Sequence, residues 1–542
     1  MRDFQRPGRS TVHALNGMCA TSHPEAARVA VDAMREGGNA VDAAVTAALT
    51  LTLLEPAMTG LGGDAFAMVW RAGEDRPRGL NGSGRAPRGA DAAALRAEGH
   101  GTMPLQSPHA VTVPGAIDAF DRMLADWGTF GWERAVAPAL AIARDGHPVA
   151  PRAAWDWAQN ADKLDEAARA HFLIDGRPPR AGEVMRYPAQ AEALERLAAE
   201  GRAGFYEGEV ARDIVESLQA LGGVHSMEDF AETRATPMEV ISGTYRGVEL
   251  IELPPNGQGA TALLQTKVLE GFDLAALDPM GAERAHLEAE ACRLAYDARN
   301  RLISDADVAG MGERLALMCA EETARAMREA IDPAAATPDL TALNDRLLAL
   351  GPDLRPGGAP HRDTVYLTVV DAERTMVSLI FSVFNSFGGG LASRRFGIGL
   401  QNRGAGFTLA EGHPNEYGPG KRPLHTIIPA MLAKDGKPWA SFGVMGGQYQ
   451  ANGHARVVSN LVDYGMDPQE ALDAPRSFHQ EGRLELETGY ERGVLDRLGV
   501  MGHDAVIVDA PIGGGQIILI DPETGALTGG SDPRKDGCAL GY

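Results

Sequence analysis

The stretch that decides the fold is His361-Arg-Asp-Thr-Val-Tyr-Leu-Thr-Val-Val-Asp371. It ends a Pro- and Gly-rich run at 351–363, and from Thr364 onward β-branched and aromatic residues dominate. A change of this kind indicates a loop that passes into a β-strand. The pattern therefore predicts a strand that begins on a threonine, with Thr364, Tyr366 and Thr368 on one face of the pleat.

A threonine at the start of a strand has two interpretations. It can be an ordinary strand residue after a loop. Alternatively, it can be a nucleophile, because a Thr hydroxyl is activated when a base lies beside it and the α-amine of the same residue can be that base. That amine becomes free only when the Asp363-Thr364 bond is cut, so the second interpretation requires a self-cleaving precursor.

Two further features could serve such a nucleophile. A second strand, 376–383, is predicted to form a hairpin with 364–370, and it carries Ser382. This serine could hydrogen-bond Thr364 or could simply be satisfied within its strand. Farther along, Ser441-Phe-Gly-Val-Met runs into Gly446-Gly447. A strand ending in a Gly-Gly turn can present consecutive N–H groups to an oxyanion, although the turn alone is weak evidence.

The composition limits the classes of partner. The chain has 542 residues, 44% of them hydrophobic, and a net charge of −22. The charge argues against nucleic acids and anionic membranes as partners. The four scattered cysteines indicate a reducing compartment, and the start of the chain lacks an apolar signal segment, so we expect a cytoplasmic protein. The apolar run at 43–54 is too short for a membrane span and is expected to be a core helix.

Helical patterns dominate the first two thirds of the chain. Ser22-His-Pro-Glu25 reads as a capping box that starts a helix to about residue 36, and a small-residue helix follows at 39–54. We expect the boundary between the two halves of the chain at 333–363. No HExxH motif or paired His spacing predicts a metal site, and no phosphate loop occurs. Further helices are predicted at 116–127, 132–145, 189–199, 209–221, 282–302 and 453–464, a hairpin at 238–253, and a closing strand at 515–520.

Several segments, taken in order, resemble the γ-glutamyltransferase family over nearly the whole chain. They are GGNAVDAAV, TGLGGDAF, VPGAIDAF, APALAIARDG, DTVYLTVVD, NSFGGG, KRPLHTIIPAM, VMGGQYQ and SDPRKDG. The resemblance implies an α+β fold, the four-layer αββα sandwich of the N-terminal-nucleophile hydrolases. It also implies cleavage between Asp363 and Thr364 into a large region, 1–363, and a small region, 364–542, which remain together as a heterodimer.

The resemblance also assigns roles to individual residues. Thr364 matches the nucleophile, Ser382 matches a threonine that hydrogen-bonds it, and Gly446 and Gly447 match the glycine pair of the oxyanion hole. No metal or organic cofactor is implied. The positions that match or neighbour the family's substrate contacts are Arg85, Asn385, Arg403, His425, Thr426 and Gln448.

The departures from the family pattern concern the substrate. The family's Asp-x-Arg-Glu loop is replaced by Gly-Ser-Gly-Arg85-Ala-Pro, and its N-Q-M-D-D-F segment by Asn402-Arg-Gly-Ala-Gly-Phe407, which contains no acid. The family's paired serines become His425-Thr426. A pocket with Arg403 and Arg85, and without an acid to bind an ammonium, is expected to prefer a small or acidic amide that lacks the glutamyl α-amino group. The sequence thus favours the oxamate-amidohydrolase-like branch.

Two alternatives stay open. One is a true γ-glutamyl hydrolase or transpeptidase acting on glutathione-type compounds, with Glu411 or Glu416 binding the amine. The other is a non-catalytic scaffold with an uncut chain. The expected partners are a small-molecule amide and the second fragment of the same precursor, with a dimer of heterodimers as an open alternative for the assembly.

Overall fold

Two seven-stranded sheets form the centre of the structure. A computed structural model describes residues 8–348 and 364–542. The first sheet has the order β1-β18-β17-β13-β12-β9-β8 and the second has the order β19-β2-β10-β11-β3-β4-β7, with antiparallel pairing throughout. The strands are β1 Val12–Ala14, β2 Met18–Thr21, β3 Asp64–Trp70, β4 Arg78–Gly82, β5 His147–Pro148, β6 Val184–Met185, β7 Thr236–Met238, β8 Ile241–Tyr245, β9 Val248–Glu252, β10 Val365–Val370, β11 Met376–Ser382, β12 Ala430–Lys434, β13 Lys437–Met445, β14 Ser477–Gln480, β15 Arg483–Leu486, β16 Ala505–Ile507, β17 Gly514–Ile520, β18 Leu527–Ser531 and β19 Cys538–Gly541.

Helices cover the outer face of each sheet. The second sheet packs against α1, α2 and α4, and the first packs against α12 and α17. The helices are α1 Pro24–Arg35, α2 Ala40–Leu54, α3 Ala92–Ala97, α4 Ala116–Trp127, α5 Gly131–Asp145, α6 Pro151–Asn160, α7 Glu166–Phe172, α8 Pro188–Glu200, α9 Arg202–Tyr206, α10 Glu209–Ala220, α11 Met227–Ala231, α12 Gly259–Leu269, α13 Ala282–Leu302, α14 Met311–Cys319, α15 Glu321–Ala330, α16 Leu340–Leu348, α17 Gln450–Val462, α18 Pro468–Asp473 and α19 Arg492–Val500. The resulting order of layers is helix, sheet, sheet, helix, which confirms the predicted αββα sandwich.

The alternation of side chains along β10 explains why this strand sits at the centre. Val365, Leu367 and Val369 point to the helical layer, where they join the core around α2. Tyr366 points to the other sheet and belongs to the core between the sheets. Thr368 faces the same way, because its hydroxyl donates to Ser441 Oγ of β13 at 2.6 Å. A strand buried on both faces in this manner needs a nearly continuous apolar sequence, as found here.

The first two helices form as predicted, with one correction. Asn39 caps α2 and makes a capping box with Asp42, and every residue of α2 is buried. The cap of α1 is His23 and not Ser22: Nδ1 of His23 accepts the Glu25 amide at 3.2 Å, while Ser22 donates to Glu55. Pro24 in the first turn explains the difference, because a proline is favoured at the first helical position and disfavours helical backbone before it.

Other predicted elements are found with small shifts. The predictions for α4 and α13 match the observed bounds, and the hairpins β8–β9 and β10–β11 are present. α17 begins at Gln450, three residues before the predicted start. The strand at 514–520 does not close the sheet, because β18 and β19 follow it. The predicted boundary at 333–363 contains α16, and its last part, including Asp363, lies outside the described residues. No helix in the described ranges is both long and apolar enough to cross a membrane.

The two sheets mix strands from both sides of residue 364. β10 lies between β2, from the N-terminal part, and β11, and β11 in turn pairs with β3. In the first sheet, β12 pairs with β9 and β18 pairs with β1. The regions 1–363 and 364–542 therefore do not fold as separate domains, and each sheet is built from both.

Candidate active site

Thr364 immediately precedes β10 and is fully buried. Val365 lies opposite Phe381 on β11, so the same register places Thr364 opposite Ser382. Ser382 in turn lies opposite Asp64, the first residue of β3. Three polar residues thus form a row across neighbouring strands at the end of the sheet, and two strand spacings separate Thr364 from Asp64 by about 10 Å. Residues opposite one another share a face, so the row points into the space between the sheets.

The Gly446–Gly447 turn lies at the matching end of the other sheet. It follows β13 directly and takes positive φ values of 119° and 57°. A Cβ atom on Gly446 would lie 2.7 Å from the Cα of Gly513, so only glycine fits there. A turn of this kind can direct successive N–H groups to one point, which is the requirement for an oxyanion hole.

Gln450 joins the turn region to the nucleophile position. It is the first residue of α17, and its Nε2 lies 3.4 Å from Thr364 Oγ1. Its Oε1 accepts the Ile428 amide at 3.0 Å, which fixes the side chain. The prediction from sequence named Gln448, two residues earlier, which stays a prediction. The carbonyl of Gln448 accepts a hydrogen bond from Tyr296, and its side chain is half-buried.

Arg403 is the notable cation of this region. It is fully buried, lies over the Phe384 ring with 4.4 Å to the centroid, and donates through Nη1 to Thr426 Oγ1 at 3.1 Å. Within the described parts of the chain, its Nε and Nη2 have no hydrogen-bond partner. Burial lowers the pKa of Arg403 to about 9, although Asp64 opposes this shift. Arg403 therefore stays charged at neutral pH and retains donors for an anion.

Asp64 and His425 form a buried pair beside Arg403. Nδ1 of His425 accepts the Ile427 amide at 3.3 Å, so a neutral ring carries its proton on Nε2, which lies 3.2 Å from Asp64 Oδ2. Burial, followed by the Arg403 charge, holds the pKa of His425 well below its usual value. Burial raises the pKa of Asp64 to about 6, against the opposing effect of Arg403. The pair is thus a neutral imidazole donating to a carboxylate that titrates near neutrality.

The other oxygen of Asp64 is committed to the fold. Its Oδ1 accepts the amides of Gly84 and Gly115 at 2.9 and 3.2 Å, and Nε2 of Gln401 at 2.8 Å. These bonds tie β3 to the loop after β4 and to the start of α4. Asp64 accordingly both organises the pocket wall and places a negative charge next to Arg403.

A second layer of polar groups supports the glycine turn. Nε2 of Gln258 donates to the Thr426 carbonyl at 2.7 Å and approaches the Gly447 carbonyl at 3.4 Å. Its Oε1 accepts Arg299 Nη1 at 2.6 Å. Arg299 is buried on α13, so this helix fixes the Gln258 side chain. Gln258 in turn connects the glycine turn with Thr426, the residue that accepts a hydrogen bond from Arg403.

Two of the predicted substrate-binding residues, Arg85 and Asn385, are bonded to other parts of the protein. Arg85 is paired with Asp305 at 3.1 Å and Asp307 at 2.9 Å and also donates to the Gly420 carbonyl, so its guanidinium is occupied by the protein. Asn385 is half-buried, and its backbone N–H donates to Asn402 Oδ1 at 3.2 Å. The structure brings together Thr364, Ser382, Arg403, His425 and Thr426, whereas Arg85 belongs to an ion-pair cluster on the adjoining loops.

Sequence reasoning missed Asp64, Gln258 and Gln450 as site residues. Asp64 and Gln450 lie inside segments that carry the family resemblance, TGLGGDAF and VMGGQYQ, whereas Gln258 lies in PPNGQG, which is not one of those segments. The signal was a polar side chain beside a glycine-rich turn. The expectation that the 402–407 segment contributes no acid holds, but Asp64 brings a carboxylate next to Arg403 from β3, more than three hundred residues earlier in the chain.

Comparison with known proteins agrees with this geometry. The gamma-glutamyltranspeptidase family model matches residues 26–542. The chain is 32% identical to a glutathione hydrolase-like proenzyme of Bacillus subtilis, over 97% of this chain and 98% of that one. It is 29% identical to an oxamate amidohydrolase proenzyme of Klebsiella pneumoniae, over 98% and 99%.

A solved structure extends the comparison to three dimensions. The crystal structure of cephalosporin acylase from Bacillus halodurans superimposes with a TM-score of 0.90 at 36% identity, covering 100% of this chain and 99% of the acylase. The superposition spans both sheets, and both comparisons include the row formed by Thr364, Ser382 and Asp64. The chain therefore belongs to the gamma-glutamyltranspeptidase family of enzymes.

Proposed function

We propose that the chain cleaves itself before Thr364 and then hydrolyses a small amide whose acyl part is anionic and lacks an α-amino group. Arg403 is the observation that carries the substrate class. A buried guanidinium with two donor nitrogens unpaired among the described residues is costly unless an anion meets it, because buried charge needs a partner. The large and small fragments then stay associated as a heterodimer. The proenzyme names of two relatives support self-cleavage.

The reaction is an acyl transfer in two steps. The α-amine of Thr364 takes the proton from Oγ1, and Oγ1 attacks the amide carbonyl. The carbonyl oxygen gains negative charge and accepts hydrogen bonds from the N–H groups of Gly446 and Gly447. In other acyl-transfer enzymes one such donor stabilises the transition state by about 3 kcal/mol. The C–N bond breaks, the amine leaves with the proton, and water repeats the sequence on the ester to release the acid.

The charge distribution of the pocket accounts for the preference against an α-amine. Arg403 offers donors to an acidic group, whereas the oxygens of Asp64 are already met by two amides, Gln401 and His425. An ammonium group placed beside Asp64 would have to compete with these donors for the carboxylate oxygens. A short monoamide of a dicarboxylic acid fits the available groups best.

A glutathione-type γ-glutamyl substrate is the second candidate. The observation in its favour is Asp64 itself, an acid two strand spacings from Thr364 that could bind an α-amine if it released one of its present donors. The relation to a glutathione hydrolase-like proenzyme points the same way.

Self-cleavage is tested by mass spectrometry under denaturing conditions. We expect two fragments from the wild type, the smaller beginning at Thr364, and one intact chain from Thr364→Ala. Thr368→Ala is a matched control, because Thr368 lies on the same face of β10 but bonds to Ser441. It is expected to cleave normally. An intact wild-type chain would remove the base from the mechanism and favour a non-catalytic scaffold.

The substrate class is tested with two matched anilides, γ-glutamyl anilide and glutaryl anilide, which differ only in the α-amine, together with oxamate. We expect the wild type to prefer glutaryl anilide. Arg403→Gln should lower kcat/KM for it by roughly 10- to 100-fold, because hydrogen bonds to charged groups contribute about 1.5–3 kcal/mol. A neutral acyl anilide controls for general damage. Preference for the γ-glutamyl compound in the wild type would favour the glutathione-type alternative instead.

A further inference from the structure

Away from the nucleophile, three buried side chains direct potential metal-ligand atoms to one point. His286 and Glu290 lie one turn apart on α13, and His503 follows α19. One ring nitrogen of each histidine and one carboxylate oxygen lie within 4.8 Å of one another. The sequence prediction of no metal site rested on the absence of known motifs, and the third residue of this cluster is more than two hundred positions from the other two.

The protonation of His286 is fixed by its surroundings. Its Nε2 lies 2.8 Å from the carbonyl of Asp332, which can only accept, so Nε2 carries the proton. In the neutral ring, Nδ1 therefore carries no proton and has a free lone pair. It lies 2.8 Å from His503 Nε2. A backbone carbonyl bound to the outer nitrogen is the usual arrangement for a metal-ligating histidine, because it orients the ring and makes it a better donor.

Glu290 is held in a similar way. Its Oε2 accepts the amide of Thr337 at 2.9 Å, and its Oε1 accepts Arg293 Nη1 at 2.6 Å. Arg293 also donates to the Thr337 carbonyl at 3.0 Å. The Thr337 side chain also bonds the carboxylate. A carboxylate has about four acceptor positions, so these bonds orient the group and leave a position for an ion.

We propose that His286, Glu290 and His503 bind a divalent transition-metal ion, with Zn²⁺ the best match to the donor set. Two imidazoles and one carboxylate, with a further position for water, are a common set for zinc. In a tetrahedral site with Zn–N bonds of about 2.0–2.1 Å, the two ring nitrogens would lie about 3.3 Å apart, so binding needs them to separate by about 0.5 Å. Without an ion, His503 Nε2 donates to His286 Nδ1 instead.

The position of the site gives the ion a structural role. The 332–337 loop that contacts His286 and Glu290 also meets the end of α19, where the Ala336 amide donates to the Met501 carbonyl at 2.7 Å. This loop leads towards residue 363, and His503 lies in the small region. An ion bound here would link α13 of the large region to His503 of the small region once the chain is cut. Metal binding itself does not depend on that cut.

The test uses the full-length protein, stripped with a chelator and freed of any affinity tag. Co²⁺ is titrated first, with visible absorption as the readout for a low-coordinate nitrogen and oxygen site, and Zn²⁺ is titrated by calorimetry. We expect one ion per chain and a higher melting temperature with Zn²⁺, because an ion that binds only the folded state stabilises it. Absence of stoichiometric binding to the wild type would overturn the proposal without any variant being needed.

Variants then locate the ion. His503→Gln and Glu290→Gln should each weaken Zn²⁺ binding at least about tenfold, since even loss of an outer hydrogen bond to a metal ligand has an effect of this size. His413→Gln is the matched control, because His413 is buried to the same degree as His503, 7% against 8% exposed, and lies in the 408–421 loop. Equal affinity in all four proteins would place the ion elsewhere and contradict the assignment.

Discussion

At the scale of single residues, the central feature is the presence of two buried groups of opposite charge, Arg403 and Asp64, which influence each other's pKa. Arg403 keeps unpaired donors among the described residues, whereas both oxygens of Asp64 have partners. His425, which donates to Asp64, is neutral because burial and Arg403 depress its pKa. Protonation of Asp64 therefore makes the net charge around Arg403 more positive.

The first prediction concerns pH. Burial raises the pKa of Asp64 to about 6, so this group gains a proton as the pH falls through that value. An anion bound at Arg403 favours the protonated form, and by linkage the anion binds more tightly at lower pH, by up to about tenfold per pH unit. The measurement is the inhibition constant of a small alkyl sulfonate as a function of pH. The sulfonate stays fully ionised between about pH 5 and pH 8, so a change in this constant reports a group of the protein.

Asp64→Asn serves as the control for this profile. It retains an oxygen for the Gly84 and Gly115 amides but does not titrate, so the inhibition constant should become nearly independent of pH. A profile that stays the same in this variant would assign the effect to another group, such as the α-amine of Thr364.

A second prediction concerns Gln450. Gln450→Glu keeps an acceptor for the Ile428 amide but replaces the nitrogen that lies 3.4 Å from Thr364 Oγ1. We expect kcat to fall by about tenfold, because the hydrogen bond contributes about 1 kcal/mol and its loss leaves an unfavourable contact. Pre-steady-state kinetics of acyl-enzyme formation provide the measurement. An unchanged acylation rate would show that Gln450 only supports the 425–428 segment.

Residue-level prediction from the sequence was partial for a physical reason. Thr364 could be singled out because the chain changes there from loop to strand, whereas the roles of Ser382 and the glycine pair came from the family resemblance and stay predictions. Asp64 could not, because its role arises from the register of β3 against β11, which pairs residues far apart along the chain. Arg85 has the right chemistry, but the two aspartates that occupy it are distant in sequence.

At the scale of elements, the turn from β13 into α17 is the part that the chemistry depends on most. Gly446→Ala would place a methyl group 2.7 Å from the backbone of Gly513 and would strain a backbone with φ of 119°. We expect kcat to fall by roughly 100- to 1,000-fold, the effect of losing one oxyanion donor. Steady-state kinetics on the preferred amide measure it.

Gly436→Ala is the matched control for this substitution. Gly436 also has a positive φ, 72°, but lies in the β12–β13 hairpin turn, where a Cβ atom would contact nothing within 4 Å. This variant should lose about 1–3 kcal/mol of stability from backbone strain and retain its kcat. If both variants lost activity equally, the effect would be one of general destabilisation.

Element boundaries followed the sequence where local signals were strong. The periodic helices α4 and α13 were predicted at their observed bounds, and Asn39 correctly began α2. The error at α1 came from two competing signals, because the Ser-x-x-Glu pattern favoured Ser22 while Pro24 fixed the start one residue later. The last strands, β18 and β19, were missed because their Gly-rich sequences lack alternation, and they form only through pairing with β17 and β2.

At the scale of the whole molecule, the two regions divided by residue 364 share both sheets. After the proposed cut, separating the fragments would require breaking the β2–β10, β3–β11, β9–β12 and β1–β18 pairs together. It would also expose the core between the sheets. Dissociation and unfolding are therefore one event.

This gives a fourth prediction. Over a wide range of dilution, the cleaved wild type should keep one elution position. Its melting temperature should rise with protein concentration, because its unfolding releases two chains, whereas the uncut Thr364→Ala chain should melt at a temperature that does not depend on concentration. Size-exclusion chromatography and calorimetry measure the two quantities, with uncut Thr364→Ala as the reference. A small fragment that elutes by itself with its secondary structure intact would contradict the shared-sheet account.

The position of β10 has a consequence for mixtures of variants. Because the strand that follows Thr364 is enclosed by strands of its own precursor, each mature molecule keeps the two pieces of a single translation product. Cells that make one variant defective at Asp64, in the large region, and another defective at Arg403, in the small region, should therefore contain no hybrid molecules with a complete site. Variants with a defect in the large region are therefore not expected to show intragenic complementation with variants that have a defect in the small region.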